Sequence, residues 1–219
     1  MVSADALIES ASHAGCDVAP WGVIEHALIE RGYYVGASIF NATLTQRLAA
    51  RAVALSSSGD LHPARVGRAA SALHAGAVRS DDTRWLADRP DDPAERAALD
   101  TVDALRGQLN RSLFLGARRA ELHFAHYAPG AFYRTHRDRF RDDDARCLTL
   151  IFYLNSDWQT GDGGELVLYA DDDSGALLQQ VSPCAGTMVC FLSEQFPHEV
   201  LPARRARYSL TGWLRRDDP

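Results

Sequence analysis

Apolar and polar positions follow two different periods in this chain, and the change falls near residue 120. Before it, the spacing is helical. Val23, Ile24, Ala27 and Leu28 share one face of a predicted helix over Trp21 to Arg31, opened by Pro20 and stopped by Gly32. Tyr33 to Phe40 is short, aromatic and β-branched, which predicts a strand. Asn41 or Thr43 can cap the next helix, with Leu44, Leu48, Ala52 and Leu55 on one face. Asp92 and Pro93 open another, with Leu99, Val102, Leu105 and Leu109 facing inward.

After residue 120 the pattern becomes short strands, predicted at 121–127, 131–137, 147–154, 165–170, 186–192, 197–201 and 206–214. Turn signals separate them at Pro129-Gly130, Asp142 to Asp144, Gly161 to Gly164, Asp171 to Gly175, Pro183 and Pro202. This many strands with no helix between them predicts an antiparallel double-sheet jelly roll. The expected fold is α+β with a mainly β core and supporting N-terminal helices. It forms one domain, with helical support over 1–120 and the jelly roll over 121–214. No internal repeat is visible.

Composition narrows the class. With 219 residues, 46% hydrophobic and 24% charged, the chain is that of a globular domain able to bury a core. A formal charge of −6 argues against a nucleic-acid partner, which needs lysine and arginine to neutralise phosphates. The cluster Arg134, Arg137, Arg139 and Arg141 reads as a solvated strand end or a substrate rim. Cys16, Cys147, Cys184 and Cys190 have no C-x-x-C spacing and are expected as buried free thiols. The N-terminus lacks the pattern of a signal peptide, and no stretch reaches the 18 or so apolar residues of a membrane span. The expectation is a cytoplasmic protein without membrane contact. The run Asp171 to Asp173 reads as a solvated turn rather than a Ca²⁺ site.

One constellation carries chemistry. Side chains two apart on a strand share a face, so His136 and Asp138 can grip one ion. Chance alone supplies such a pair in a chain this rich in Asp. The case strengthens with His198, in a second predicted strand, because two imidazoles and one carboxylate bind one face of Fe(II) and leave three positions open. In the last strand Arg207, Ser209, Thr211 and Trp213 alternate with Tyr208, Leu210, Gly212 and Leu214. One face is therefore polar with a Trp, as the wall of a polar pocket would be. Arg207 can supply a counter-charge for a bound acid, or join a surface ion pair. Tyr153 reads alone as a core residue with its hydroxyl at the rim. His123 and His126 face opposite sides of a strand and cannot share an ion; both are read as structural or supporting. His13, His26, His62 and His74 carry no pattern.

These residues and their order resemble the iron- and 2-oxoglutarate-dependent dioxygenases, specifically the prolyl-hydroxylase branch with the animal oxygen-sensing hydroxylases and their bacterial relatives. The matching stretches run from Tyr127 to Asp138, Arg146 to Asn155, Trp158, Gly163 to Leu166, Gly186 to Phe191, Pro197 to Val200 and Arg207 to Trp213. A fainter match covers Val78 to Trp85. The resemblance implies a double-stranded β-helix in which His136, Asp138 and His198 bind Fe(II). It implies that Arg207 pairs with the distal carboxylate of 2-oxoglutarate, helped by Tyr153 and Thr211, that Tyr127 lines the pocket, and that Trp213 packs near the metal. Asp81 and Arg146 would form an ion pair tying an entrance loop to the barrel. The implied reaction is hydroxylation of an unactivated C–H bond with O₂, giving succinate and CO₂, with ascorbate as an accessory reductant.

Within such oxygenases, nucleic-acid demethylases carry a second arginine six residues after the first, where this chain has Trp213. Arg207 lies nine residues after His198, as in the prolyl-hydroxylase branch. The branch also implies a specificity lid, expected here at about residues 80–95. The leading expectation is a prolyl residue in a cytoplasmic protein as substrate, with translation components as candidate targets. The alternatives are a free amino acid or small metabolite as substrate, a non-catalytic sensor of 2-oxoglutarate and iron, and a zinc hydrolase.

Overall fold

The computed structural model describes residues 21–64, 76–138, 145–172 and 174–218. In chain order the elements are α1 (Trp21–Arg31), β1 (Tyr33–Ala37), α2 (Ala42–Ser58), β2 (His62–Pro63), β3 (Asp82–Trp85), α3 (Pro93–Leu113), β4 (Arg119–Tyr127), β5 (Tyr133–His136) and β6 (Arg146–Tyr153). There follow β7 (Leu166–Tyr169), β8 (Leu177–Val181), β9 (Thr187–Leu192), β10 (His198–Val200) and β11 (Arg207–Arg215). His13, His74, Cys16, Arg139, Arg141, Asp173 and the turn expected at 142–144 lie outside the described residues.

Local chemistry sets the helix limits. The Asn41 side chain accepts from the Leu44 amide at 2.9 Å, and Gly59 closes α2 in the left-handed region. The Asp92 carboxylate accepts from the amides of Ala94 and Glu95, with Pro93 at the first helical position. Each helix buries the stripe its spacing predicts: Ile24, Ala27 and Leu28; Leu48, Ala52 and Leu55; Val102, Leu105 and Leu109. Val23 departs from that reading. It lies on the outer face of α1, 62% exposed.

All strand pairs within the two sheets are antiparallel. The seven-stranded sheet runs β1-β9-β6-β11-β4-β3-β2 and the four-stranded sheet β5-β10-β7-β8. Alternation gives the large sheet two apolar faces. Leu122, Phe124, Leu148, Leu150, Phe152 and Leu210 pack against the three helices. Ala125, Ile151, Tyr153, Val189 and Phe191 face the small sheet, which contributes Leu166, Leu168 and Val200. The helices thus stiffen the back of the wall whose front carries the site.

Two elements depart from the sequence reading. β8 follows the Asp171–Gly175 turn where no strand is expected; it is an edge strand with Leu177 and Leu178 outward, so its residues do not alternate. Four residues of the supposed lid form β3, paired with β4 from Asp82↔His126 to Trp85↔His123. The segment 80–95 is therefore not one mobile loop: its first part is sheet, and from Asp92 it caps α3. The first 120 residues also give β1, β2 and β3 to the large sheet, so support and barrel interleave.

Candidate metal and co-substrate site

His136 ends β5, Asp138 lies two residues past it, and His198 opens β10, paired directly opposite His136. Their ligand atoms all fall within 4.8 Å of one another. Asp138 Oδ1 is 3.5 Å from His136 Nε2, and its Oδ2 is 3.6 Å from His198 Nε2. Each imidazole is oriented through its other nitrogen: His136 Nδ1 donates to the Arg134 carbonyl at 2.8 Å and His198 Nδ1 to that of Phe196 at 3.0 Å. Placing the proton on Nδ1 leaves the Nε2 lone pair for a metal. Burial pushes the His198 ring down to about 4, so it stays neutral at pH 7. Burial alone would raise the Asp138 carboxyl, but the neighbouring His198 and His136 outweigh it and hold it well below the usual carboxylate range. Neutral imidazole plus ionised carboxylate is the state that binds a cation.

Behind the triad, two buried hydroxyls hold Asp138. Thr149 Oγ1 donates to Asp138 Oδ2 at 2.8 Å and lies 2.9 Å from Ser193 Oγ. Because the Thr149 proton is given to the carboxylate, Ser193 is the donor between the two. Sequence reasoning missed both residues: a Thr in β6 and a Ser after β9 carry no spacing signal, and only sheet register brings them to the ligand.

Arg207, at the start of β11, is buried; its Nε donates to the Gly164 carbonyl at 2.8 Å and its guanidinium lies 4.8 Å from the Tyr127 ring and 5.2 Å from that of Tyr153. Gly164 has φ +67, and a Cβ there would meet Arg207 Cδ at 2.9 Å, so only glycine fits this turn. Trp158 fixes the same turn by donating from Nε1 to the Gly163 carbonyl. Burial pushes the Tyr153 hydroxyl up to about 12, against the lowering charge of Arg207. Among the described residues that hydroxyl is buried without a hydrogen-bond partner, and the Arg207 guanidinium lies beside its ring. A buried guanidinium with a buried phenol beside it has the charge and donors that suit a carboxylate.

The cavity joining Arg207 to the three metal donors measures about 890 Å³. Tyr127, Ser209, Thr211 and Trp213 line it; the Thr211 hydroxyl is 3.1 Å from that of Ser209. Trp213 stacks under the Arg146 guanidinium at 3.5 Å and against His123 at 5.5 Å. His123 faces the cavity, while His126 faces the helices, stacked on Tyr208 and 3.4 Å from Ser56 Oγ. Burial pushes His123 down to about 3. His62, which carried no sequence pattern, lines the outer end. The expected Asp81–Arg146 pair is replaced: Arg79 grips the buried Asp81 with two bonds of 2.7 and 2.6 Å, and Arg146 approaches Glu121 and the Asp138 carbonyl. Arg79 is only two residues away on the same strand-like segment, close enough to fork both oxygens. Arg134 and Arg137 of the basic cluster tie down backbone carbonyls of Ala77, Glu194 and Gln195. Cys147 and Cys190 are buried free thiols, and Cys184 is a half-buried one.

Comparison with known proteins is consistent with this donor set. Residues 122–215 match the 2OG-Fe(II) oxygenase superfamily. A hypoxia-inducible factor prolyl hydroxylase from Caenorhabditis elegans is 30% identical over 150 residues, 64% of this chain and 20% of that protein. Egl nine homolog 1 from Rattus norvegicus is 36% identical over 86 residues, 38% of this chain and 25% of that protein. The chain thus matches a fifth to a quarter of the length of these curated relatives. A Trichoplax adhaerens prolyl hydroxylase, solved with a hypoxia inducible factor peptide, shares the fold at TM-score 0.78 and 24% identity, over 90% of this chain and 89% of that one. A Pseudomonas putida prolyl-4-hydroxylase superposes at TM-score 0.79 with 40% identity, over 90% of this chain and all of that one. Identity at that level across the whole of a solved relative makes this chain a member of the 2OG-Fe(II) oxygenase superfamily, prolyl-hydroxylase-like within it.

Proposed function

We propose that this protein hydroxylates a prolyl residue in a protein substrate, using Fe(II), 2-oxoglutarate and O₂. The observation that carries the chemistry is the buried Arg207, which lines the same cavity as the His136, Asp138 and His198 donors and has the buried Tyr153 ring beside it. His136, Asp138 and His198 would hold the iron. Arg207 and Tyr153 would take the far carboxylate of 2-oxoglutarate, with a planar, permanently charged fork suited to two oxygens. When bound, the metal and co-substrate supply oxidative decarboxylation and the oxygen for a C–H bond, releasing succinate and CO₂. Ile151, Leu166 and Val200 line the cavity between these groups and exclude water from the reacting centre.

Two observations support a chain segment as substrate. A relative that matches along its whole length at 40% identity is a prolyl-4-hydroxylase. The cavity also continues past the metal donors to Arg84 and Trp85 of β3, His62 of β2 and Asp60 just before it, and its volume of about 890 Å³ exceeds what a free amino acid fills. A cytoplasmic partner is proposed, with translation components first among the candidates, following the resemblance to the bacterial members of the branch.

The test is aerobic incubation of the iron-loaded protein with 2-oxoglutarate and lysate proteins of its own source. Prolyl sites that gain one oxygen with wild type and not with Asp138→Ala would establish the reading and name the partner. Succinate release with no modified protein would point instead to a small-molecule substrate. Arg207→Ala should raise the 2-oxoglutarate KM by roughly tenfold to a hundredfold, the equivalent of about 1.5–3 kcal/mol for a lost charged hydrogen bond. An unchanged KM would remove Arg207 from that role.

A further inference from the structure

Three rings on the cavity wall belong to neither the metal nor the carboxylate site. Register sets Trp85 of β3 beside His123 of β4, and His123 beside Thr211 of β11. Trp213 follows two residues on. The imidazole therefore lies among two indoles, its centroid 4.6 Å from Trp85 and 5.5 Å from Trp213. Trp85 is half exposed at the mouth, whereas His123 and Trp213 are more than nine-tenths buried. Trp213 also pairs across to Thr149, whose hydroxyl holds Asp138, so these rings adjoin the metal donors.

Two buried nitrogens here have no hydrogen-bond partner among the described residues: His123 Nδ1 and Trp213 Nε1. Leaving a buried polar atom unpaired is costly, and an apolar side chain would fill the same space without that penalty. An indole N–H only donates, and an imidazole nitrogen donates or accepts according to its tautomer. The complementary ligand must offer an acceptor to Trp213 and either function to His123, and it must be flat enough to lie against aromatic faces. Arg146, stacked on Trp213, lies 3.5 Å from the Glu121 carboxylate, which offsets its charge and weakens the case for an anionic ligand. A peptide group, planar and neutral, with C=O and N–H side by side, meets each condition.

We propose that His123 is a specificity-determining residue that, with Trp213 and Trp85, forms an amide subsite for a backbone peptide group of the substrate. The proposal rests on the protein-substrate reading above. It makes peptide binding depend on a hydrogen bond from this histidine, separately from metal and co-substrate binding.

The probes are synthetic peptides built on the prolyl sites that wild type modifies in the lysate. Wild type, His123→Leu and His123→Asn are compared for peptide KM and for 2-oxoglutarate KM. The expected result is a split: in His123→Leu the peptide KM rises about tenfold or more, while the 2-oxoglutarate KM moves less than about twofold. His123→Asn, which again offers a donor and an acceptor, recovers much of the loss. Equal peptide KM in wild type and His123→Leu overturns the proposal and leaves the peptide reading standing. Parallel rises in both constants for both variants also overturn it, because they mark a packing role. Absence of any modified prolyl site removes the peptide reading, and this subsite falls with it.

Discussion

Asp138 must stay ionised inside a buried pocket while His198 beside it stays neutral, and the Thr149–Ser193 pair shows how the carboxylate is held there. Removing the hydroxyl leaves one carboxylate oxygen to find its own orientation. Thr149→Val, nearly the same in volume, should therefore weaken metal binding by about 10- to 100-fold, the usual effect of losing such a support. Calorimetric titration with Mn(II) reads this without turnover; an unchanged affinity would show that Asp138 is placed by the backbone alone. The buried histidines give the metal-free protein a pH signature as well. His198 and His123 titrate near 4 and 3 in the fold but near 6.5 when unfolded, so between those values the unfolded chain binds more protons. Stability should therefore fall as pH drops from about 6.5 toward 4, by up to about 1.4 kcal/mol per unit for each ring. Urea unfolding across that range should show a shallower slope for His123→Leu than for wild type. At this scale strand spacing put His136 and Asp138 on one face, and only the resemblance gave a role to Arg207, nine residues after His198. The roles of Thr149, Ser193 and Gly164 were not legible in the sequence, because each matters through a neighbour on another strand.

Register makes those neighbours, so the elements decide what the residues can do. Along β11, Arg207, Ser209, Thr211 and Trp213 face the cavity over about 20 Å at the usual strand rise. One strand thus carries both the proposed carboxylate receptor, Arg207, and the wall beside the candidate metal donors. The Gly163–Gly164 turn before β7 controls the near end. Gly164→Ala should displace Arg207, since the added Cβ meets its Cδ at 2.9 Å in a backbone conformation that disfavours side chains. The expected outcome is a 2-oxoglutarate KM raised about tenfold with Mn(II) affinity retained; loss of both together would mean the turn supports the whole site. Helix boundaries were readable because Asn41 and Asp92 cap in place and the apolar stripes repeat. β3 and β8 were not. Asp82 to Trp85 reads as a polar loop because its partners on β4 lie 38 to 44 residues later, from Trp85↔His123 to Asp82↔His126, and β8 is an edge strand without alternation.

The two sheets are unequal partners around the site. The large one has nine-residue strands at β4 and β11 and three helices behind it; the small one has β5, β7 and β10 of four, four and three residues. A short strand contributes few ladder hydrogen bonds and little buried area, so the small sheet depends more on what lies between the layers. His136 and His198 belong to that small sheet, while Arg207, Tyr153 and Thr149 belong to the large one. A metal with 2-oxoglutarate would therefore bridge the layers, and its binding free energy would appear first where the apo protein opens most readily. Ligand at about 100 times its Kd adds about 2.7 kcal/mol to the native state. In amide hydrogen exchange, β5 and β10 should exchange faster than β4 and β11 in the metal-free protein. Mn(II) with 2-oxoglutarate should slow β5 and β10 by about 100-fold while α1, α2 and α3 change little. Equal slowing in the helices would mean that the molecule opens only as one unit. No slowing in β5 and β10 would mean that the ligands do not join the layers, and the division of the donors between the two sheets would then have no mechanical consequence.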